Sequence, residues 1–519
     1  MTHRITAAAA IAAFSLALSG SADARRMPAP EPVVRQVVAL PESIRGVQFP
    51  GYTADGSRLL AAATSTEWDG TQIVSFAESG SKLRCLTCGA WSGPALLKPF
   101  AFEDGRRVLV RIGEQTAVSS ADHGVLECAP SVLDCRTSKV VPIVSPSADD
   151  PNVEQDQREF RIAPDNEHVA LTQIRRSAGG RSTGVGIVGK LIRGADAYRV
   201  ADARVVAVDG ELKGFTPDGK SVTFARFLGA FEAGNPDDVQ IGLRKGRESR
   251  LTYALDWDED VDLAPRRYRG RTWMVVGSAR GQGFLETVSQ VRRPTAIEVG
   301  LSALPFAVFV NRGADIAEPW LVDRTSARAG QLGQPLAPGA VASGWDSRAV
   351  TRWKPDGTAI VFWQRQIGGT GTRVVIARLP GRRARQAHAG RTPTPRWAPS
   401  LAGFVPPDPA LPQSRPGKVS GHMQVVTGPY PLPSFQRFVE ITYVNFADRR
   451  GFVIDGVERS HYDAPGLYGG RSQYSADLTV SGSHAGFLRA TDVVVTTAGI
   501  RGTIESEVDG RRLSLGPLP

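Results

Sequence analysis

Residues 353–365, WKPDGTAIVFWQR, decide how the rest of the chain is read. An aromatic residue leads into Pro355, Asp356 and Gly357, and an apolar run rich in β-branched and aromatic residues follows. Proline presets φ for a turn, glycine accepts a positive φ, and Val, Ile, Phe and Trp suit a pleated, half-buried surface. The stretch is therefore expected to form a strand, a tight turn and a second strand. The unit recurs as GYTADGSRLLAAAT from Gly51, FAFEDGRRVLVRIG from Phe100, FRIAPDNEHVALTQI from Phe160 and GFTPDGKSVTFARF from Gly214. The turn aspartates Asp55, Asp104, Asp165, Asp218 and Asp356 are spaced by 49, 61, 53 and 138 residues. The last interval is too long for one unit. It contains LPFAVFVNRGADIAEPWLVD, residues 304–323, which reads as the later two strands of a unit without its Asp-Gly turn. TQIVSFAES from Thr71, DDVQIGLRKG from Asp238 and TRVVIARLPG from Thr372 supply further strands. Roughly 50 residues and four short strands per repeat is the pattern of a propeller blade, whose faces are buried only when neighbouring sheets stack radially.

TRWKPDGTAIVFWQR followed by TRVVIARL resembles the TolB-like six-bladed β-propellers, and the resemblance covers residues 45–405. The copies at Asp218 and Asp356 match best; the one at Asp104 lacks the proline and the one at Asp165 lacks the glycine. The resemblance implies an all-β ring of six blades. PRWAPSLAGF from Pro395 leaves open a seventh blade or a segment that closes the ring. Propellers of this kind host binding modules and unrelated enzymes, so the fold alone assigns no activity.

At the N-terminus, His3 and Arg4 precede an Ala/Leu-rich run ending at Ala22-Asp23-Ala24, the pattern of a bacterial secretory signal peptide over residues 1–24. Residues 25–44 then form an N-terminal extension. The apolar run is short for a membrane span and no later stretch is longer, so a soluble, periplasmic or secreted mature protein is expected. The net charge of +10 comes from interspersed residues rather than a basic block. Export and the lack of a nucleic-acid motif argue against nucleic acid, whereas an envelope protein or an anionic polymer suits a basic exported surface. Export also favours disulfides. The four cysteines form two local pairs, Cys85 with Cys88 and Cys128 with Cys135, and local bonding is the first choice among the three pairings four cysteines allow. The rival is a four-cysteine zinc site, which the wide second spacing disfavours.

From Pro393 to Pro416 the chain turns proline-rich, placing a linker at 406–417. Residues 418–519 then alternate polar and apolar positions between Gly and Asp-Gly turns, the pattern of an antiparallel domain that curls into a small sandwich or open barrel. A short proline-rich tether keeps this sheet close to the propeller and favours docking. His422, His461 and His484 lie here at spacings of 39 and 23 residues, a weak signal for a metal site.

A propeller joined to another domain invites comparison with prolyl-peptidase-type hydrolases. Their nucleophile needs a Gly-x-Ser-x-Gly elbow between strand and helix, and no serine hydrolase motif of this form is expected here. The C-terminal region is β-patterned and too short for the doubly wound sheet that carries such an elbow, so this activity is not expected. LDWDEDVDLAP places Asp256, Asp258, Asp260 and Asp262 at alternate positions, oxygen ligands of the type calcium takes, although no EF-hand register fits. The stretches before the turns, DQREFRI, GELKGFT and SRAVTRW, form the innermost strands in the TolB-like pattern. Arg158, Lys213 and Arg352 are thus the candidate channel residues for binding an anionic group. The resulting expectation is an exported, non-catalytic binding or scaffold protein without a cofactor, with a propeller hydrolase or lyase of an anionic polymer as the alternative.

Overall fold

The computed structural model describes residues 30–516 except 116–119, 148, 181, 228–235, 256, 281–283, 295–317, 349, 386–389, 408–412, 429–436, 450, 464–470 and 497–498. The expected signal peptide and Asp256 therefore lie outside the described residues.

After β1 (Val34–Val37), the first blade comprises β2 (Ile44–Tyr52), β3 (Leu59–Ser65), β4 (Gln72–Phe76) and β5 (Arg84–Cys85). The second comprises β6 (Leu96–Ala101), β7 (Arg107–Ile112), β8 (Asp122–Pro130) and β9 (Cys135–Val144). The third is β10 (Val153–Ile162), β11 (His168–Arg176), β12 (Ser182–Arg193) and β13 (Tyr198–Val208). The fourth is β14 (Glu211–Phe215), β15 (Ser221–Phe227), β16 (Pro236–Gly242) and β17 (Glu248–Arg250). The fifth is β18 (Asp258–Leu263), β19 (Trp273–Ser278), β20 (Glu318–Asp323) and β21 (Gln334–Pro335). The sixth contains β22 (Trp345–Ser347), β23 (Arg352–Trp353), β24 (Ala359–Gln366) and β25 (Thr372–Arg378), and β1 pairs antiparallel with β25 as its outer strand. Chain ends from opposite termini thus share one sheet and close a ring of six.

The turn aspartates act as expected of Asx turns. Asp218 Oδ1 accepts from Thr216 Oγ1 at 2.7 Å and from Lys220 N at 3.1 Å, while Gly219 turns the chain at φ 68°. In the third blade Asn166 takes the glycine position at φ 64°, a conformation asparagine tolerates. The fifth blade has Ala264-Pro265-Arg266-Arg267 where the others have their Asp turn, and its hairpin closes through reciprocal bonds between Tyr268 and Arg271. The long interval is this blade with residues 279–317 inserted between β19 and β20. Of the expected strand stretch 304–323, only β20 falls within the described residues.

PRWAPSLAGF starts no seventh blade. Ser400 bridges Arg204, Val205 N donates to Pro399 O, and Trp397 Nε1 donates to Leu243 O, so the stretch lies across the outer strands of blades three and four. Ala398 and Leu401 are buried there.

The C-terminal strands β26 (Arg415–Pro416), β27 (Ser420–Thr427), β28 (Arg437–Ala447), β29 (Val453–Asp463), β30 (Arg471–Ser481), β31 (Gly486–Thr496), β32 (Gly499–Val508) and β33 (Arg511–Leu515) pair in chain order as one up-and-down sheet. It curls nearly shut, which selects the barrel over the sandwich. Its first strand begins inside the proline-rich stretch. Alternate side chains, such as Tyr474, Ala476, Leu478 and Val480, point into a shared core. That core also takes in Leu285 and Val288 of helix α1 (Phe284–Ser289), and Val291 just after it, from the fifth-blade insertion. The barrel therefore meets the propeller through a segment that blade five sends into it. A second short helix, α2 (Arg324–Arg328), is capped by Asp323, whose carboxylate accepts from Thr325 N and Ser326 N.

Candidate functional site in the propeller channel

The innermost strands are bent by irregularities that recur at one level of the ring. Phe49, Lys98, Glu159, Asp260 and Val350 all have positive φ, and β14 has its register shift around Lys213. A bulge re-aims a side chain, and a non-glycine residue held at positive φ costs on the order of 1–3 kcal/mol, more so for β-branched Val350. Such repetition brings charged and aromatic groups from the inner strands together around the axis.

These groups link each blade to the next. Lys98 Nζ lies 5.6 Å from the centre of the Phe49 ring, joining blades one and two, and 3.1 Å from Glu159 Oε1, joining two and three. Arg158 Nη2 donates to Glu211 Oε1 at 2.7 Å, joining three and four. Lys213 Nζ donates to Glu211 Oε2 at 3.0 Å and to Glu259, joining four and five. Asp262 Oδ2 accepts from Trp353 N at 2.9 Å, joining five and six. Phe49 meets Trp363 edge-on at 5.2 Å, joining six back to one. Arg352 reaches past blade one, placing its guanidinium 4.6 Å from the Phe100 ring.

Both signs of charge alternate around this circuit. Glu159 pairs with Lys98 and Arg161, Glu211 with Arg158 and Lys213, and Glu259 with Lys213, while Arg111 pairs with the exposed Glu114. Burial raises the Glu159 carboxyl, but Lys98 and Arg161 outweigh it and hold the group well below its ordinary range. Burial likewise raises Glu211, yet Lys213 and Arg158 bring it down to about 2. Burial disfavours a charged Lys213, but Glu259 and Glu211 keep it protonated far above its usual range. Arg352 has no comparable compensation: burial lowers it more than Asp262 raises it.

Arg158, Lys213 and Arg352 therefore lie together at the axis, and two of the three are engaged by carboxylates. Sequence reasoning missed those carboxylates, together with Lys98, Arg161, Phe49 and Phe100. Glu159 and Glu211 stand one and two positions from the chosen cations, but their facing depends on bulges that no residue pattern announces.

The alternating aspartates diverge. Asp258 is fully buried and accepts from Arg280 Nε at 2.9 Å and Nη2 at 2.8 Å, whereas Asp262 faces blade six. Among the described residues no three His, Cys, Asp or Glu side chains are grouped to hold a metal ion. His484, in the turn between β30 and β31, has its Nδ1 2.7 Å from Asp509 Oδ2, while His422 lies on β27 and His461 on β29. The cysteine sulfurs are at bonding distance in the local pairs, 1.97 Å for Cys85 and Cys88 and 2.13 Å for Cys128 and Cys135. A Gly-x-Ser-x-Gly pentapeptide is in fact present, at residues 180–184. It lies at the hairpin between β11 and β12, where Ser182 pairs with Arg176 and donates to Glu154 Oε2 at 2.5 Å, so it is no strand-to-helix elbow.

No family model and no curated protein matches this sequence. Among solved structures, a TolB-type protein from Agrobacterium tumefaciens is similar at 15% identity over 59% of this chain and 83% of that one, with a TM-score of 0.33. An oligogalacturonate lyase in complex with manganese is similar at 10% identity over 67% and 97%, with a TM-score of 0.37. The propeller domain of the Trilobed protease from Pyrococcus furiosus is similar at 8% identity over 67% and 97%, with a TM-score of 0.34. These neighbours have the propeller in common and include both a TolB-type protein and enzymes. At such identities they carry no argument about activity.

Proposed function

We propose that this is an exported, non-catalytic binding or scaffold protein of the cell envelope, whose propeller engages an anionic polymer or an acidic segment of a protein. The observation that supports this reading is the cluster of cations on aromatic rings at the inner strands. Lys98 and Arg111 lie over the Phe49 ring, Arg161 and Arg352 lie over the Phe100 ring, and Glu159 pairs with Lys98 and Arg161. Cations clustered between low-dielectric walls focus potential on an incoming anion. Of these, Arg352 is half-buried, and burial lowers it more than Asp262 raises it. Acid–base chemistry needs a group that titrates near the working pH. Pairing pushes Glu159, Glu211 and Lys213 away from it, whereas burial raises Glu259 and Asp262 and lowers Lys98 toward it, so a turnover assay separates binding from catalysis.

The test uses the mature chain on a column of immobilised polyglutamate or polygalacturonate, alongside assays for release of shortened polymer. Salt-sensitive retention, weakened by Arg352→Ala and without turnover, is the expected result. Turnover lost in the same variant would replace this reading with that of a lyase or hydrolase. Equal retention of both proteins would remove the channel from the account.

A further inference from the structure

The wall of the C-terminal barrel is built from its own ladder, β26 to β33, and the described residues of the blade-five insertion add no strand to it. The insertion enters as a ligand would. Leu285, Val288 and Val291, at helical spacing, bury themselves among Ile441, Phe446, Leu478, Val480, Leu488, Val495 and other interior residues. At the rim, Gln290 Nε2 donates to Ser506 Oγ at 2.5 Å and Ser506 Oγ donates to Thr287 O. Arg511 of β33 pairs with Glu286.

Arg293 ends this segment inside the barrel with no exposed surface. Its Nε donates to Glu458 Oε1 at 2.9 Å, and its Nη2 donates to Glu458 Oε2 at 2.6 Å and to the Tyr474 hydroxyl at 3.0 Å. Nη1 donates to the carbonyls of Val288 and Val291 at 2.9 and 2.8 Å. All five guanidinium donors are thereby used, a set that the three donors of an ammonium cannot reproduce. From the wall, Tyr443 and Tyr474 also donate to Glu458, at 2.7 and 3.0 Å. Without Arg293 the 2%-exposed Glu458 would be a buried, uncompensated charge.

We propose that the barrel interior is a receptor site for an arginine-bearing amphipathic helical segment, with Glu458, Tyr443 and Tyr474 as its guanidinium-reading residues. In this chain the site is filled in cis by residues 284–293. The ligand class is a peptide with apolar anchors three residues apart and an arginine two residues beyond the last. The site is separate from the propeller channel, so its test does not depend on what the channel binds.

The probe is a labelled peptide of residues 284–294, FLETVSQVRRP, added to the full mature chain. On the unaltered protein, a large excess should increase amide exchange of the resident 284–293 segment as it is displaced. On Arg293→Met, whose own segment is weakened, the peptide should bind at least about tenfold more tightly than on the unaltered protein, as expected when a competing cis ligand is loosened. Versions of the peptide with Lys or Met at the position of Arg293 should bind at least tenfold more weakly than the parent. Glu458→Gln should erase that preference. Where Arg293→Met does not fold, Arg293→Lys serves in its place. Equal binding of the three peptides, a preference that survives Glu458→Gln, or an excess of peptide that leaves the resident segment protected would each overturn the proposal.

Discussion

Replacing Lys213 by methionine tests whether the channel circuit holds the ring together. Lys213 joins Glu211 to Glu259, and its side chain is 2% exposed. Methionine preserves the length and apolar stem but leaves two half-buried carboxylates without that partner. Removing one member of a buried pair costs about 3–5 kcal/mol. Arg158 still faces Glu211, so the lower end is expected. For a chain of this size that is a fall in Tm on the order of 3 °C at pH 7. The pH dependence separates charge from packing. In the unaltered protein the depressed Glu211 contributes stability present above its unfolded pKa of 4.5 and lost as pH falls toward about 2. Lys213, raised above its ordinary value, contributes stability that is intact throughout the acid range and lost only at strongly alkaline pH. In Lys213→Met the carboxyls rise, so protonation relieves them and the gap from the unaltered protein should narrow from pH 7 to pH 4. Thermal unfolding followed by circular dichroism across that range is the assay. A gap that stays constant with pH would mean that the loss is one of packing, and no gap at all would refute the circuit.

Two further outcomes follow from the closure and the cross-links. Deleting Val34–Val37 exposes the edge of β25, so exchange at Ile376 and Arg378 should accelerate at least tenfold before that in β11; unchanged protection would mean that β1 does not hold the ring. Replacing Cys128 and Cys135 together by serine should cost about 2–3 kcal/mol under the chain-entropy model, read as a shifted denaturant midpoint, and peptide mapping of the unreduced protein should recover both local bonds.

How much was legible in the sequence varied with the kind of signal. Blades with an Asp turn announced themselves because that turn needs particular residues: a side-chain acceptor at Asp218 and a positive φ at Gly219. Blade five did not, since Arg266 stands at the Asp position and the insertion displaces its third strand. Four residues, Val34–Val37, carry no periodicity, so the closure of the ring was hidden in what read as an extension. Arg158, Lys213 and Arg352 were found by register with the turns, whereas their partners depend on long-range facing. The segment that fills the barrel did have a readable mark. Leu285, Val288 and Val291 fall on one helical face, a period easily passed over in a chain that otherwise alternates by two.

The closure also orders events in time. Gln36 accepts from Arg378, 342 positions later in the chain. A polypeptide crossing a membrane from its N-terminus delivers β1 first, yet β1 has no partner until β25 follows. The four-residue strand must then remain unpaired while five blades form. Closing so long a loop carries an entropy cost that only a preformed arc of blades reduces, by bringing the two ends near each other. Ring closure is thus expected to be the last step of propeller assembly, and on the proposed export route the N-terminal edge strand stays open until then to capture by another chain's sheet edge.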